Sequence, residues 1–426
     1  METKKNLRIG GIDLTRFNIV YPKGHAVEQF LAEELARMIA EATGKELLAV
    51  NDDYVRIEHE IRFGLTNRAT EEDGAVAADE YAIRVLGKNV DVLAGNVFGY
   101  EDALARLESL LSEEGDADWQ NGDTWTGKIT HMPQKPEGYN LSILYHNILG
   151  YLPWYPALNR AAMGVELYRE YMPDIIGQQE VSKFYYNDSI DAVNALLDMG
   201  YEEIRFPRMG YGNPIYYNAE KLELLECGYK TVRRGDKGTT WAVLRFKKSG
   251  GRIFGVLNSH FAADSNANRD PVLGNEYRTQ DAKAAVSVVR MIEQRYPGIP
   301  VFTGGDYNAA LGSDPINAIS EGGLTFIRDR LSDLSHCDFH AWNGYPVYDE
   351  EKKRYRYEEF HRNGPKGNID FVTLGGDLDG VKVLDYAILN DRISCTVSDH
   401  LPHICFFHVP RNEAYEEQPK YEEYVY

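Results

Sequence analysis

Several apolar runs of this chain end in, or open on, a residue that a buried strand would reject. LSILYHN stops at Asn147, PDIIGQQE at Glu180 and FGVLNSH at His260. VFTGGDYN stops at Asp306 and Asn308, NIDFV holds Asp370, and SDHLP opens with Asp399 and His400. Carboxylates are hard oxygen donors of the kind that divalent cations take. An imidazole exchanges protons near neutral pH. Asp306 and Asn308, two apart on an extended segment, point the same way. Taken singly each residue is weak, since a Glu at a strand end is more often a solvated carboxylate and GGDYN alone reads as turn chemistry. Their recurrence at strand ends is what places them at one rim of a sheet.

The elements that must position them follow from periodicity. From Asn140 on, strand-like runs recur: LSILYHNIL, TWAVLRF, RIFGVLNSHF, PVFTGGDYN, GNIDFVTL and LPHICFFHV. Helical stretches lie between them near 157–171, 189–199 and 278–296. Strands rich in Val, Ile and Phe on both faces imply sheets buried on both sides, and two such sheets packed face to face with helices outside account for the pattern. Before this, residues 1–130 alternate short strands with two helices. The first runs from His25 to Ala42, with Val27, Phe30, Leu31, Leu35, Met38 and Ile39 on one face and Gly44 as its stop. The second runs from Tyr100 to Leu111. The chain therefore divides into an α/β domain over 1–120, a Gly-, Asp- and Pro-containing linker over 121–138, a larger domain over 139–412 and an acidic, tyrosine-rich tail over 413–426.

The motifs, in their order, resemble those of the endonuclease/exonuclease/phosphatase superfamily. PDIIGQQE resembles its PDIIGLQE signature, LNSHF its NTHL element, GGDYNA its GDFNA, NIDFV its IDYIF and SDHLPHIC its SDHxPV. EEFHRNGPKGNIDFV is similar to the TFHGF…IDYIF stretch of bacterial members. The resemblance implies a four-layer α/β sandwich, preceded here by the smaller α/β domain, that hydrolyses phosphate esters with Mg²⁺ or a similar ion such as Mn²⁺. It implies that Glu180, helped by Asn147 and Asp399, holds the metal. It implies that His400 is the general base, oriented by Asp370, and that Asp306 and Asn308 contact the phosphate or polarise the water. His260 would donate to a phosphoryl or leaving oxygen. A base with a pKa of about 6.5 suits that task, and Mg²⁺ takes few carboxylates and keeps several waters. YHNIL departs from the pattern, because many nucleases carry further polar residues after the Asn. The family's tyrosine near the phosphate maps onto Tyr211, Tyr216 or Tyr217, with Tyr216 and Asn213 as the substrate-side candidates. The first 120 residues separately resemble the accessory α/β module of glycoside hydrolases such as bacterial β-hexosaminidases, on ATGKEL and DEYAIRVLGKNVDVLAGNVFGYEDALARLESLL.

Composition narrows the substrate. The formal net charge is −20, which repels a phosphate backbone unless bound cations reverse the local field. This favours a small, sugar-linked or lipid-linked phosphate ester over long nucleic acid. A nuclease on DNA or RNA is the alternative within the class, and a binding protein that kept the fold is the alternative outside it. Arg269 and Arg278 could meet a substrate phosphate bidentately, and a surface ion pair explains either as well. Cys227, Cys337, Cys395 and Cys405 form no C-x-x-C pair, and the last two sit in strand-like ISCTV and HICFF, so free thiols are expected. No apolar run approaches the ~18 residues of a membrane span, and the polar METKKNLRIGG start suggests a cytoplasmic protein, although a secreted form whose leader had been removed would read the same. The sequence leaves the oligomeric state open.

Overall fold

The computed structural model describes residues 4–68, 76–130, 134–150, 160–181, 192–206, 212–232, 237–248, 252–337, 347–349, 354–356 and 368–415. The chain forms two compact units. The first comprises Met1–Met132 with Ala157–Glu170 and Asp391–Ile393, and the second the remainder.

In the first unit, β1 (Leu7–Ile9) pairs with β2 (Ile12–Asp13) and with β8 (Ala117–Trp119). The main sheet has the order β4-β3-β5-β7-β6-β9, built from β3 (Phe17–Tyr21), β4 (Ala49–Asn51), β5 (His59–Phe63), β6 (Glu80–Leu86), β7 (Asn89–Ala94) and β9 (Thr124–Lys128). Helices α1 (Ala26–Thr43) and α2 (Val97–Ser112) are the two that the apolar spacing predicts. Gly44 ends α1 with φ 74°, where only glycine is unstrained, and returns its N–H to the Ala40 carbonyl. β9 falls inside the stretch expected to be linker. Its alternating exposed and half-buried residues look like loop in sequence, but it completes the sheet beside β6.

The second unit is a four-layer α/β sandwich. One six-stranded sheet has the order β12-β13-β11-β10-β23-β22, from β10 (Leu141–Asn147), β11 (Ile175–Gln179), β12 (Tyr201–Ile204), β13 (Ile215–Asn218), β22 (Lys382–Ile388) and β23 (His403–His408). The other has the order β14-β15-β16-β17-β21-β18, from β14 (Leu222–Lys230), β15 (Gly238–Phe246), β16 (Ile253–His260), β17 (Pro300–Asp306), β18 (Thr325–Phe326) and β21 (Asp370–Gly376). A hairpin of β19 (Val347–Asp349) and β20 (Arg354–Arg356) stands apart from both sheets. Ile143, Tyr145, Ile175 and Phe407 of the first sheet meet Leu244, Phe254, Phe302 and Leu374 of the second in one core. Burying each such side chain stabilises the fold by roughly 1.5–3 kcal/mol, which is why strands with apolar residues on both faces settle here. Outside the second sheet lie α5 (Pro271–Arg295) and α6 (Asp314–Glu321), whose Ala285, Val289, Ile292 and Ile319 cover Val243, Leu257 and Val301. Outside the first sheet, α4 (Ala192–Asp198) packs beside β12. Helix α3 (Arg160–Tyr171) precedes β11, and Ala157–Glu170 cluster with the first unit.

One strand-like reading is corrected. ISCTV is helical, within α7 (Arg392–Val397). The N–H groups of Arg392 and Ile393 donate to the buried carboxylate of Glu101 at 2.9 and 2.6 Å, which satisfies the start of the helix and overrides the weak helix propensity of the β-branched residues. All four cysteines are free thiols.

Candidate active site

Strand register brings the polar residues together. β16 runs parallel to β17 with His260 opposite Asp306, and β17 runs antiparallel to β21 with Asp306 opposite Asp370. In the facing sheet, β10 runs parallel to β11 with Asn147 opposite Gln179, and Glu180 follows directly. Asn147, Gln179, His260 and Asp306 close their strands, and Asp370 opens the antiparallel β21, so the residues meet where the ladders stop.

Asp306 is the hub. Its Oδ2 accepts from Asn147 Nδ2 at 3.0 Å and from Asn308 Nδ2 at 3.2 Å, and its Oδ1 accepts from the Asn308 N–H at 2.8 Å. The same Oδ2 lies 3.3 Å from His260 Nε2 and 3.9 Å from His400 Nε2. His400 Nδ1 lies 2.8 Å from Asp370 Oδ2. Asp306 and Asp370 are almost wholly buried, as are His260, Asp399 and His400. Glu180 is half-buried, with Oε1 3.8 Å from His260 Nε2.

The local backbone is strained at this rim. Glu180, Asn308 and Leu149 hold φ of 62°, 49° and 52°, a left-handed region that costs an ordinary residue about 1–2 kcal/mol. The tandem glycines before Asp306 are strand residues, not a turn. A Cβ on Gly304 would stand 2.5 Å from the Tyr145 ring of the facing sheet. Gly305 has φ 129°, and a Cβ there would stand 2.1 Å from the Ser259 carbonyl oxygen. The dipeptide therefore lets β17 deliver Asp306 between two neighbours at close quarters.

Burial and mutual charge set the protonation states. Burial pushes the Asp306 carboxyl up, but His400, His260 and Lys237 outweigh it and hold the group well below the usual carboxylate range. Burial, with the neighbouring carboxylates of Asp306 and Asp399, pushes Asp370 up to about 6 against the opposing pull of His400. Burial disfavours a charged His400, yet Asp370, Asp399 and Asp306 together raise it well above an ordinary histidine. The imidazole therefore keeps its proton readily while this many carboxylates face it, and the His400–Asp370 pair titrates as a unit.

Two groups of carboxylate and imidazole atoms lie within 4.8 Å of one another among the described residues: Glu180, His260 and Asp306, and Asp306, Asp370 and His400. Buried carboxylates in excess of cations call for a counter-charge, and hard oxygens with imidazole nitrogen suit Mg²⁺ or Mn²⁺. The residues present thus fit a divalent ion. Asp399 joins neither group. It follows Ser398, whose hydroxyl donates to the Asn147 carbonyl at 2.6 Å, and it acts on His400 through its charge.

The remaining candidates are placed otherwise. Arg278 pairs with Asp264 at 2.6 Å. Arg269 is exposed, with φ 62°, in the turn before α5. The buried Tyr216 hydroxyl donates to Glu203 at 3.0 Å. Asn213 braces the rim from behind, donating to the carbonyls of Gly238 at 2.7 Å and Asn258 at 2.9 Å. Tyr211 lies outside the described residues.

Lys237 is the residue that sequence reasoning missed. β15 runs antiparallel to β16 with Gly238 opposite His260, so the residue before Gly238 arrives at the rim. The Lys237 ammonium contacts both ring nitrogens of His260, at 3.1 Å from Nδ1, and lies 3.9 Å from Glu180 Oε1. Thr240, the first residue of TWAVLRF, pairs with Asn258, a register that sets Lys237 one residue before the position level with His260 and that no local pattern in the sequence announces.

Comparison with known proteins adds likenesses of low similarity. No family model and no curated protein matches, so the resemblance of the first 120 residues to glycoside hydrolase modules rests on sequence alone. Among solved structures, D. rerio TDP2 complexed with a single-strand DNA product aligns at 18% identity over 63% of this chain and 99% of that one, with a TM-score of 0.46. An endonuclease/exonuclease/phosphatase from Bacteroides vulgatus aligns at 20% identity over 63% and 99%, with a TM-score of 0.47. The human Nocturnin catalytic domain with bound sulfate aligns at 19% identity over 63% and 94%, with a TM-score of 0.47. Likenesses at this level assign neither activity nor substrate.

Proposed function

We propose that the chain is a divalent-metal-dependent phosphoesterase of the endonuclease/exonuclease/phosphatase type. One observation carries the reading: Asp306 stands between His260 and an Asp370–His400 pair, at a rim that Glu180 also reaches. Glu180, with Asp306 and His260, would hold Mg²⁺ or Mn²⁺, with Asn147 as a further oxygen donor at that rim, while Asp399 acts on His400 through its charge. The ion, when bound, polarises a phosphoryl oxygen and neutralises developing charge. His400 would be free to accept a proton once such a positive charge offset the carboxylates of Asp370, Asp399 and Asp306 beside it.

His400 Nε2 takes the proton of the attacking water, and Asp370 holds Nδ1 protonated and stabilises the imidazolium that forms. Asn147 and Asn308 fix the Asp306 carboxylate so that one oxygen faces the two imidazoles. Lys237 places positive charge and N–H donors beside the His260 ring, where a phosphoryl oxygen would sit. The formal charge of −20 favours a compact phosphate ester, sugar-linked or lipid-linked, over a long nucleic acid.

The test is turnover of bis-p-nitrophenyl phosphate and a panel of phosphate mono- and diesters with Mg²⁺ or Mn²⁺. Wild type should turn over with metal and stop on chelation, and His400→Ala should lose about 10²–10⁴-fold in kcat. Equal rates for the two proteins would remove His400 from its role. Absence of turnover on the panel together with absence of metal binding would leave a fold retained for binding.

A further inference from the structure

We propose that Lys237 is a resident counter-cation of the metal site: its ammonium stands beside the Glu180 and His260 ligands, and a divalent ion must displace it to bind. This rests on the metal-site reading above and specifies how that site is loaded.

The geometry argues for it in three steps. Glu180, His260 and Asp306 each offer one ligand atom within 4.8 Å of the others, a spacing that one ion can bridge. Lys237 Nζ lies 3.9 Å from Glu180 Oε1 and touches both ring nitrogens of His260, so it stands against two of those three ligands. The lysine side chain is only 13% exposed, so its charge is held by these partners more than by water. Two cations so close repel strongly in a half-dry site. The imidazole nitrogen that would face a metal is also one of the nitrogens that Lys237 contacts.

An ammonium is a point charge on a flexible four-carbon stem and can swing away without unfolding anything. It serves two states. Without metal it offsets the buried carboxylates that would otherwise repel one another. With metal it is released from these two ligands, and a substrate phosphoryl oxygen gives it a new partner. Loading of metal and capture of phosphate are thereby ordered.

Two measurements on the full-length, metal-free protein test this. The first is Mn²⁺ binding, read from the electron paramagnetic resonance signal of the free ion. Lys237→Met should bind Mn²⁺ about tenfold more tightly than wild type, equivalent to about 1.4 kcal/mol, and Lys237→Arg should bind no more tightly than wild type. Equal or weaker binding by Lys237→Met, with wild type still binding, overturns the displacement and leaves the metal site standing. Failure of every variant and wild type to bind overturns both. The second needs no substitution. Reductive methylation of Lys237 in wild type, followed by peptide mass spectrometry, should accelerate several-fold on adding Mg²⁺. An unchanged or slower rate overturns the displacement even if Lys237→Met fails to fold.

Discussion

The chemistry of the site reduces to one carboxylate. Asp306 receives two amides and faces two imidazoles, so its loss should disorder the others as well as remove a charge. Asp306→Asn should lower kcat at least as much as His400→Ala. Asp370→Asn should cost less, about 10²-fold, since Asn can still accept from Nδ1 but no longer stabilises an imidazolium. A pH titration adds a sign. The folded pKa of His400 stands above its unfolded value of about 6.5, so its contribution to stability is complete below about pH 6.5 and is lost as the pH rises through the folded value. Urea unfolding of metal-free protein at pH 6 and pH 9 should therefore show this loss, and Asp370→Asn should reduce it. A pH-independent difference between the two proteins would contradict the assigned charge pair.

At the scale of the elements, the glycines of β17 make a sharp prediction. Gly305→Ala meets both a positive φ and the Ser259 carbonyl, and should cost about 2–4 kcal/mol in unfolding free energy. Phe407→Ala, which opens the core between the sheets, should cost about 3–5 kcal/mol. Denaturant midpoints check both, and a Gly305→Ala protein as stable as wild type would mean that β17 does not approach β16 as described. Elements with strong periodicity were legible in sequence: α1, α2 and the doubly apolar strands of the sandwich. The polar residues that end them were legible too, because a core repels them. Less legible were features decided by tertiary contact. ISCTV is helical because Glu101 satisfies its first N–H groups. The Gly304–Gly305 pair looks like a turn until the facing Tyr145 is known. Lys237 precedes a strand whose partner and register no local pattern announces. β9 alternates weakly and was hidden among linker-like residues.

Across the whole chain, each unit carries its own electrostatic burden. In the first, Glu166 accepts from the Ala26 and Val27 N–H groups that begin α1, and burial beside Glu28 pushes it up to about 7. Burial and Asp391 push Glu101 up to about 8. For both, the folded state binds protons that the unfolded state has released, so stability falls as the pH rises from the ordinary carboxyl range toward pH 8. The limit is about 1.4 kcal/mol per pH unit for each group. Glu101→Gln should flatten that slope between pH 5 and 8 in denaturant unfolding, whatever its effect on absolute stability. Among the described residues no helix is long and apolar enough to cross a membrane.

The convergence of the strand ends on a single cation is open to direct inspection. A crystal soaked in Mn²⁺ and measured at the manganese absorption edge should give an anomalous peak about 2.0–2.3 Å from oxygens of Glu180 and Asp306, with His400 on the same rim. A peak bound elsewhere, or none at millimolar Mn²⁺, would contradict the account.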